Sequence, residues 1–316
     1  MNAAHALDVG LIGFGEVGKI FAAGFRGQPG IGKIAAWDLK FADAAAAAPE
    51  HAVAERVGVV ACDSAAALCA GSLLIISAVT ASNTLAVAAE AAHSIRPGSY
   101  FLDLNSASPG IKQRAAQLID AAGAHYVEAG VMTSAPPYGI KVPMLLGGAK
   151  AHELVALLKP LGMDVTPVAE RIGVASATKM SRSIMIKGLE ALVIESFTTA
   201  RRHGVEDAML ATLAETFPSI DWPRQGAYFF SRVAQHGKRR AEEMREAAAT
   251  VEETGFAPTM AAATAAKHAF IAEHSAAGRF NGLDASSNWQ AFADRLIAVA
   301  LPEPLSSTET PERDEP

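Results

Sequence analysis

The sequence of 316 residues contains little of what marks a disulfide-stabilised or metal-binding protein. Only two cysteines occur, Cys62 and Cys69, in an alanine-rich stretch without histidines at metal-ligand spacing. We expect both thiols to be reduced and buried. The motifs HExxH and CxxC and the nucleophile elbow are also missing, so no metal site and no serine-hydrolase chemistry are expected.

Positive charge and long apolar runs are scarce as well. The formal net charge is −6, whereas nucleic-acid binding needs a clustered excess of lysine and arginine. The longest strongly apolar run, residues 73–79, is far below the roughly 18 residues of a membrane span. No positive segment precedes the first apolar stretch, so a signal peptide is not expected. These absences predict a cytoplasmic protein that acts on a small molecule, with neither nucleic acid nor membrane as partner.

Aliphatic runs and alanine-rich stretches make up most of the chain. Half of the residues are hydrophobic and only 6% are aromatic, which suits closely packed helices beside an aliphatic sheet. Up to about residue 170 the two kinds of segment alternate, as in a parallel sheet with crossover helices. The pattern predicts seven strands, at residues 8–12, 34–37, 57–60, 73–78, 100–103, 125–131 and 144–147.

The second half of the sequence has helical periodicity only. Its first helix is predicted from Ser176 to about His203, ending before Gly204. We therefore expect an α/β protein: an N-terminal Rossmann domain with a doubly wound parallel sheet (residues 1–170), then an all-α C-terminal domain (171–301). Residues 302–316 are rich in Pro, Glu, Ser and Thr and predict a disordered acidic tail.

A glycine motif follows the first predicted strand and opens a helix. Gly13 permits a tight turn, Gly15 lets the backbone approach a pyrophosphate, and Gly18 allows close helix packing. A glycine-rich turn without a ligand is the alternative. The loop residues expected to bind a dinucleotide are Gly13, Phe14, Gly15, Glu16, Val17 and Gly18.

An acidic residue ends the second predicted strand, where it can accept hydrogen bonds from the hydroxyls of an adenosine ribose. This residue, Asp38, favours NAD because its carboxylate would repel the 2′-phosphate of NADP. Nearby Lys40 leaves NADP possible. An ordinary carboxylate at a strand end is the alternative for Asp38.

Four segments in order resemble the β-hydroxyacid dehydrogenase family, which includes 6-phosphogluconate and 3-hydroxyisobutyrate dehydrogenases and the imine reductases. They are GFGEVG, DLNSASPG (103–110), EAGVMTSAP (128–136) and KMSRSIMIKGLEALVIES (179–196). The resemblance extends to about residue 300, and the C-terminal part resembles a divergent branch with its own helical domain.

The resemblance implies a set of site residues. The family's catalytic lysine corresponds to Lys179, and the asparagine four residues later is replaced by Ser183. Lys187 lies on the same helical stripe, with ion pairing to Glu190 as its alternative. The other substrate-binding counterparts are Ser106, Ala107, Thr133 and Ser134. The residues expected beside the nicotinamide are Ala78, Val79, Thr80 and Asn105.

Two departures from the family pattern affect the expected substrate. A small residue replaces a threonine of the family's first substrate segment, at Ala107. The family's Val-Ser-Gly-Gly segment, which holds a substrate carboxylate, reads Val131, Met132, Thr133, Ser134 here. The resemblance thus implies hydride transfer between the nicotinamide and a small hydroxy acid or polyol acid, with Lys179 as general acid/base. An imine or ketone reductase and a non-catalytic nucleotide-binding sensor are the alternatives.

The resemblance also implies a homodimer whose partner helices complete the substrate pocket. His236, Arg239 and Arg240 are spaced to share one face of a predicted helix and could bind an anion of the substrate. The alternative is a solvated face that pairs with acidic neighbours, which are Glu242, Glu243 and Glu246.

Overall fold

The computed structural model describes residues 6–43 and 45–300. Its amino-terminal part is an eight-stranded sheet in the order β3-β2-β1-β4-β5-β6-β7-β8. The strands are β1 (Leu7–Ile12), β2 (Ile31–Trp37), β3 (Val60–Ala61), β4 (Leu74–Ser77), β5 (Tyr100–Asp103), β6 (His125–Val131), β7 (Met144–Gly147) and β8 (Val165–Ala169). The strand order reverses between β1 and β4, and the carboxyl ends at such a switch point are where open α/β sheets bind ligands.

Helices connect most of the strands and make up the rest of the described chain. They are α1 (Glu16–Phe25), α2 (Ala47–Arg56), α3 (Ala65–Gly71), α4 (Thr84–Ala92), α5 (Pro109–Ala121), α6 (Ala151–Leu158), α7 (Val174–His203), α8 (Glu206–Thr216), α9 (Trp222–Glu252), α10 (Thr259–Ala276) and α11 (Trp289–Ala300). Within the described residues every element after β8 is a helix. The predicted fold class, a Rossmann-type sheet followed by a helical region, is confirmed.

Both faces of the sheet are buried, and neighbouring residues of each strand point to opposite faces. Leu74 and Ile76 of β4 face one core, which also contains Phe21 of α1. Ile75, between them, faces the other core together with Ile119 of α5. The strands therefore have continuous aliphatic runs, and this is the pattern from which six of them were predicted near their observed positions.

The predicted third strand is wrong in position. Residues 57–60 were expected to form it, but α2 continues to Arg56 and Gly58 adopts a φ of +71°. This left-handed glycine ends the helix, so the strand begins only at Val60.

The prediction of seven parallel strands is wrong at the far edge of the sheet. β7 runs antiparallel to β6, with Val131 opposite Met144, because a short connection replaces a crossover helix. An eighth strand, β8, then pairs parallel with β7. Pro167 obscured this strand in the sequence, since proline is tolerated only at sheet edges.

Helix α7 carries Lys179, the predicted general acid/base, and two of the predicted substrate-binding residues, Ser183 and Lys187. It runs from Val174 to His203, close to the predicted range, and is followed by Gly204 with a φ of +69°. The predicted role of Gly204 in ending the helix is thereby confirmed. None of the helices within residues 6–43 and 45–300 combines the length and the apolar character needed to cross a membrane.

The described chain divides into two compact units. The first comprises the described residues up to Met185 and Glu242–Ala265, and the second comprises Ile186–Ala241 and the described residues from Ala266 onward. Helix α7 contributes residues to both units, and the domain boundary expected at residue 170 stays a prediction. The predicted acidic tail, residues 302–316, lies outside the described residues.

The second unit has a core of its own, built from aromatic side chains. The rings of Phe197 and Trp289 lie edge to face with centroids 4.9 Å apart, and Phe230 stacks on Phe292. Such pairs add stabilisation beyond the burial of apolar area. The few aromatic residues of the sequence thus contribute strongly to the core of the helical unit.

Candidate active site

The glycine loop between β1 and α1 has the shape that a dinucleotide requires. Gly13 has a φ of +94°, and a Cβ at Gly18 would overlap the carbonyl oxygen of Gly13. By contrast, a Cβ at Gly15 would meet nothing within 4 Å. Gly15 therefore borders open space at the amino terminus of α1, where backbone amides favour a phosphate group. The residues present fit a dinucleotide pyrophosphate.

The other loop residues face different surroundings. Phe14 is fully buried in the core beneath the loop, so it does not contribute to the loop surface. Val17 packs against the same core, and the Glu16 side chain is exposed. The Phe14 and Val17 side chains fix the loop, and the backbone at Gly15 borders the open space beside it.

Asp38 holds the glycine loop through its carboxylate. One oxygen accepts a hydrogen bond of 2.7 Å from the backbone amide of Phe14, and the other accepts one of 3.0 Å from the amide of Lys40. Each carboxylate oxygen has a second lone pair that can accept a further hydrogen bond. The position next to the loop suits the expected ribose contact, and the bond to Phe14 is a role that sequence reasoning missed.

Two lysines near Asp38 share one acidic partner. The Glu50 carboxylate lies 2.8 Å from Nζ of Lys19 and 3.5 Å from Nζ of Lys40. The hydrogen bond from Lys19, reinforced by Lys40, lowers the pKa of Glu50. Lys40, which left NADP possible, therefore has an ion pair within the chain.

Asn105 ties together the carboxyl ends of β4 and β5. Its side-chain oxygen accepts the amide of Val79 at 2.7 Å, and its side-chain nitrogen donates to Ser77 at 2.9 Å. Ala78, Val79 and Thr80, which the sequence predicts to lie beside a nicotinamide, follow β4 directly. Asn105 is itself buried, so its observed contacts brace this edge of the sheet.

A buried cluster that sequence reasoning missed lies beneath the same edge. The Asp103 carboxylate accepts hydrogen bonds from Tyr126 at 2.5 Å and from the amide of Asn105 at 2.9 Å, and it pairs with Lys112 at 2.9 Å. Burial, and then the negative charge of Asp103, raise the pKa of Tyr126 well above its ordinary value. The cluster anchors the start of the segment that contains Ser106.

Lys179 and Ser106 are brought together, as the motifs predicted for residues of one site. Nζ of Lys179 donates a hydrogen bond of 2.5 Å to Oγ of Ser106. Both side chains are half-buried. Gly130 of β6 makes this placement possible, because a Cβ there would lie 2.8 Å from the carbonyl oxygen of Ala175 on α7.

Glu128 anchors the amino terminus of the helix that carries Lys179. Its carboxylate is fully buried and accepts hydrogen bonds from the amides of Gly173, Ala175 and Ser176, at 2.7, 3.0 and 3.3 Å. The carboxylate satisfies amides that have no partner within the helix and complements the helix dipole. A glutamate within an apolar strand was the sequence signal for this role.

The remaining substrate-segment residues differ in exposure. Ala107 and Ser183 are buried, Ser134 is half-buried and Thr133 is exposed. The amide of Met132 donates to the carbonyl oxygen of Pro143 at 2.9 Å. This amide therefore continues the pairing of β6 with its neighbour and is already hydrogen-bonded within the chain.

Lys187, His236 and Arg240 belong to the second unit. Arg240 is buried and forms a two-pronged ion pair with Glu190, and Nε2 of His268 lies 3.7 Å from the same carboxylate. Glu190 is the residue that the sequence offers as an ion-pair alternative for Lys187, whereas the alternative partners for Arg240 were Glu242, Glu243 and Glu246. The pairing of α7 with α9 through Glu190 and Arg240 was missed because it joins residues distant in sequence.

Comparisons with known proteins agree with this geometry. Residues 8–165 match the model of the NAD binding domain of 6-phosphogluconate dehydrogenase, and residues 200–271 match a domain of unknown function, DUF1932. An uncharacterized 28.5 kDa protein of Methanothermus fervidus is 27% identical, over 76% of this chain and 89% of that protein.

Two solved structures illustrate the range of similarity. A conserved hypothetical protein from Sinorhizobium meliloti is 39% identical, with a TM-score of 0.74 over 93% of this chain and 96% of that one. A 3-hydroxyisobutyrate dehydrogenase of Mycobacterium tuberculosis, solved with L-serine, shares the fold at 17% identity, with a TM-score of 0.68 over 93% and 99% of the two chains. The chain belongs to the family of proteins that carry the NAD binding domain of 6-phosphogluconate dehydrogenase, as its motifs predicted.

Proposed function

We propose that this protein is an NAD(P)-dependent oxidoreductase that acts on the CH–OH group of a small hydroxy acid or related polyol acid. The observation that carries the proposal is the hydrogen bond from Nζ of Lys179 to Oγ of Ser106. The proposal is also supported because Lys179 belongs to the same unit as the loop that fits a dinucleotide, and lysine is a residue that can serve as a general acid/base. Nicotinamide, when bound, supplies the hydride acceptor or donor.

Lys179 acts as the general acid/base in this proposal. In the oxidative direction its neutral amine takes the proton of the substrate hydroxyl, and in reduction its ammonium returns a proton to the carbonyl oxygen. Because Ser106 accepts a hydrogen bond from Lys179, its own hydroxyl proton is available to a substrate oxygen. Ser134 and Ser183 are proposed to orient further polar groups of the substrate.

The proposal is tested with the purified protein, NAD⁺ or NADP⁺, and a panel of small hydroxy acids, by following the absorbance of the reduced nicotinamide. Lys179→Met should lower turnover at least about a hundredfold while NADH binding persists, because general acid/base catalysis contributes about that much. Lys159→Met, at an exposed lysine, is the matched control. Unchanged turnover in Lys179→Met would refute the assignment.

NAD is the preferred cofactor in this proposal, with NADP as the alternative. Support comes from the Asp38 carboxylate, which would repel a 2′-phosphate. Calorimetric titration should give tighter binding of NADH than of NADPH. Asp38→Asn keeps an acceptor for the Phe14 amide but removes the charge, so it should shift the ratio toward NADPH by about tenfold. Tighter NADPH binding by the unaltered protein would overturn the preference.

Reduction of an imine or of a ketone without a carboxylate is the second candidate. It is supported by the segment Met132, Thr133 and Ser134, because the Met132 amide is already bonded to Pro143 and would not hold a substrate carboxylate. Activity with cyclic imines or simple ketones, but not with hydroxy acids, would favour it. Tight NADH binding without turnover on either panel would indicate a nucleotide sensor.

We also propose that the protein forms a homodimer through α7. Ile186, Leu189 and Leu192 lie on one face of this helix and are 42%, 36% and 56% exposed. Sedimentation analysis should give a dimer that Leu192→Glu dissociates. Leu157→Glu, at an exposed leucine of α6, is the control. A monomer at all concentrations would refute this proposal.

A further inference from the structure

The beginning of helix α5 is held by two glutamates from a distant part of the chain. The amide of Ser108 donates to Oε2 of Glu246 at 2.8 Å, and the amide of Gly110 donates to both carboxylate oxygens of Glu253 at 3.0 Å. Ser108 is the residue that caps this helix, yet its own side chain forms no capping bond. The two glutamates therefore perform the capping that helix termini need.

The hydrogen bond to Glu246 fixes one end of a short segment, residues 105–108, that contains Ser106. At the amino end of this segment, the amide of Asn105 is held by the Asp103 carboxylate at 2.9 Å. At its carboxyl end, Ser108 is held by Glu246. Ser106 lies between these two points, and its hydroxyl receives the hydrogen bond from Lys179. The position of Oγ of Ser106 thus depends on both ends.

The part of α9 that carries Glu246 also packs against the helix of Lys179. Met244 and Ala247 of α9 form one apolar cluster with Met180 of α7, next to Lys179 in sequence. All of these residues belong to the first unit. A single stretch of α9 therefore contacts the elements that carry both partners of the bond between Lys179 and Ser106.

The charge of Glu246 is kept in unfavourable surroundings. Partial burial raises its pKa, and Glu253 adds to this, whereas the amide of Ser108 and the ammonium of Lys112 act in the opposite direction. Partial burial of a carboxylate costs free energy, and a glutamate that only solubilised the helix would be exposed instead. Its contact with Ser108 provides the compensation.

We propose that Glu246 is a positioning residue, which holds Ser106 against Lys179 by fixing the amide of Ser108. An effect of Glu246 on catalysis rests on the proposed function. The position of the Lys179 amine can be measured without a substrate. Loss of the Glu246 carboxylate should release the segment and expose Nζ of Lys179.

The experiment measures the rate at which limiting acetic anhydride acetylates Lys179 in the full chain, read by peptide mass spectrometry. Glu246→Ala should raise this rate about fivefold, the factor that corresponds to the loss of one ordinary hydrogen bond. Glu246→Gln keeps an oxygen acceptor and should restore the rate of the unaltered protein. Glu252→Ala, at an exposed glutamate of α9, is the matched control. Ser106→Ala removes the partner of Lys179 directly and should also raise the rate.

Lys112 serves as an internal reference because it is completely buried in the folded protein. Acetylation of Lys112 in Glu246→Ala would show general loosening and overturn a specific positioning role. An unchanged Lys179 rate in Glu246→Ala would also overturn it, whether or not Ser106→Ala changes the rate. If the substrate panel yields a substrate, kcat should fall in Glu246→Ala more than KM changes. Inactivity of the unaltered protein would refute the proposed function but would leave the acetylation result decisive for Glu246.

Discussion

Oε1 of Glu128 accepts a hydrogen bond of 2.7 Å from the backbone amide of Gly173. This contact joins the sixth strand of the sheet to the turn from which α7 begins, 45 residues later. The register of the helix relative to the sheet therefore depends on one buried carboxylate. Lys179, near the start of the same helix, takes its position from this contact.

Replacement of Glu128 should be strongly destabilising. Glu128→Ala leaves buried amides without acceptors, so we expect the free energy of unfolding to fall by about 3 kcal/mol or more. Glu128→Gln keeps one acceptor oxygen and should lose less. Urea denaturation measures both, with the exposed Glu153→Ala as control. A loss no greater than that of the control would contradict the anchoring role.

The glycine loop predicts opposite results for two similar substitutions. Gly15→Ala introduces a methyl group into open space, so stability should change by less than about 1 kcal/mol. The methyl group would occupy the approach of a pyrophosphate, and NADH binding should weaken at least about tenfold. Gly18→Ala forces a Cβ onto the Gly13 carbonyl and should cost about 2 kcal/mol or more of stability. Equal NADH affinity in Gly15→Ala and the unaltered protein would exclude this loop as the binding site.

Local sequence patterns were sufficient to predict much of the fold. The glycine loop could be identified because its glycine spacing directly follows one strand and opens a helix, and six strands had aliphatic runs long enough to recognise. The reversal of β7 and the existence of β8 could not be predicted in the same way. They depend on which edge of the sheet remains open, and Pro167 interrupts the pattern of β8.

The supporting residues of the site were beyond the reach of sequence reasoning for a different reason. Lys179 and Ser106 were assigned by resemblance to known motifs, and the structure places them in contact. Glu128 and Glu246 act across 45 to 138 residues of chain. No local period reports such pairs, and only the burial of a charged residue hints at them.

Cys69 predicts a specific dependence of stability on pH. Burial raises the pKa of its thiol from 9.0 to about 12. Between these values the folded thiol keeps a proton that the unfolded thiol loses, so stability decreases as pH rises through this window. The loss is about 1.4 kcal/mol for each pH unit above the lower value, and no contribution is expected below it.

The measurement compares urea denaturation at about pH 8 and about pH 10.5, on either side of the beginning of this window. Cys69→Ala removes the group and should lose less stability between the two conditions than the unaltered protein. The difference between the stability losses of the two proteins gives the contribution of Cys69, because tyrosines and lysines that lose protons in the same pH range contribute equally to both. Identical losses would show that the thiol is not protected by burial.

The contact between Arg240 and Glu190 allows two roles of Arg240 to be separated. Arg240→Met leaves the buried Glu190 without its ion-pair partner, so we expect a loss of about 3 to 5 kcal/mol in the free energy of unfolding. The double variant Arg240→Met with Glu190→Gln should lose clearly less than the sum of the single losses, because the charge that remains buried has been removed. Arg239→Met, at an exposed neighbour, is the control.

A role of Arg240 in binding a substrate anion predicts a different result. Arg240→Met would then leave the unfolding free energy close to that of Arg239→Met and would raise KM for an acidic substrate. The double variant would show no compensation, since Glu190 would have no share in the loss. The observed ion pair, with Arg240 5% and Glu190 1% exposed, favours the stability effect, because a guanidinium bound to a buried carboxylate cannot reach a substrate without breaking that pair.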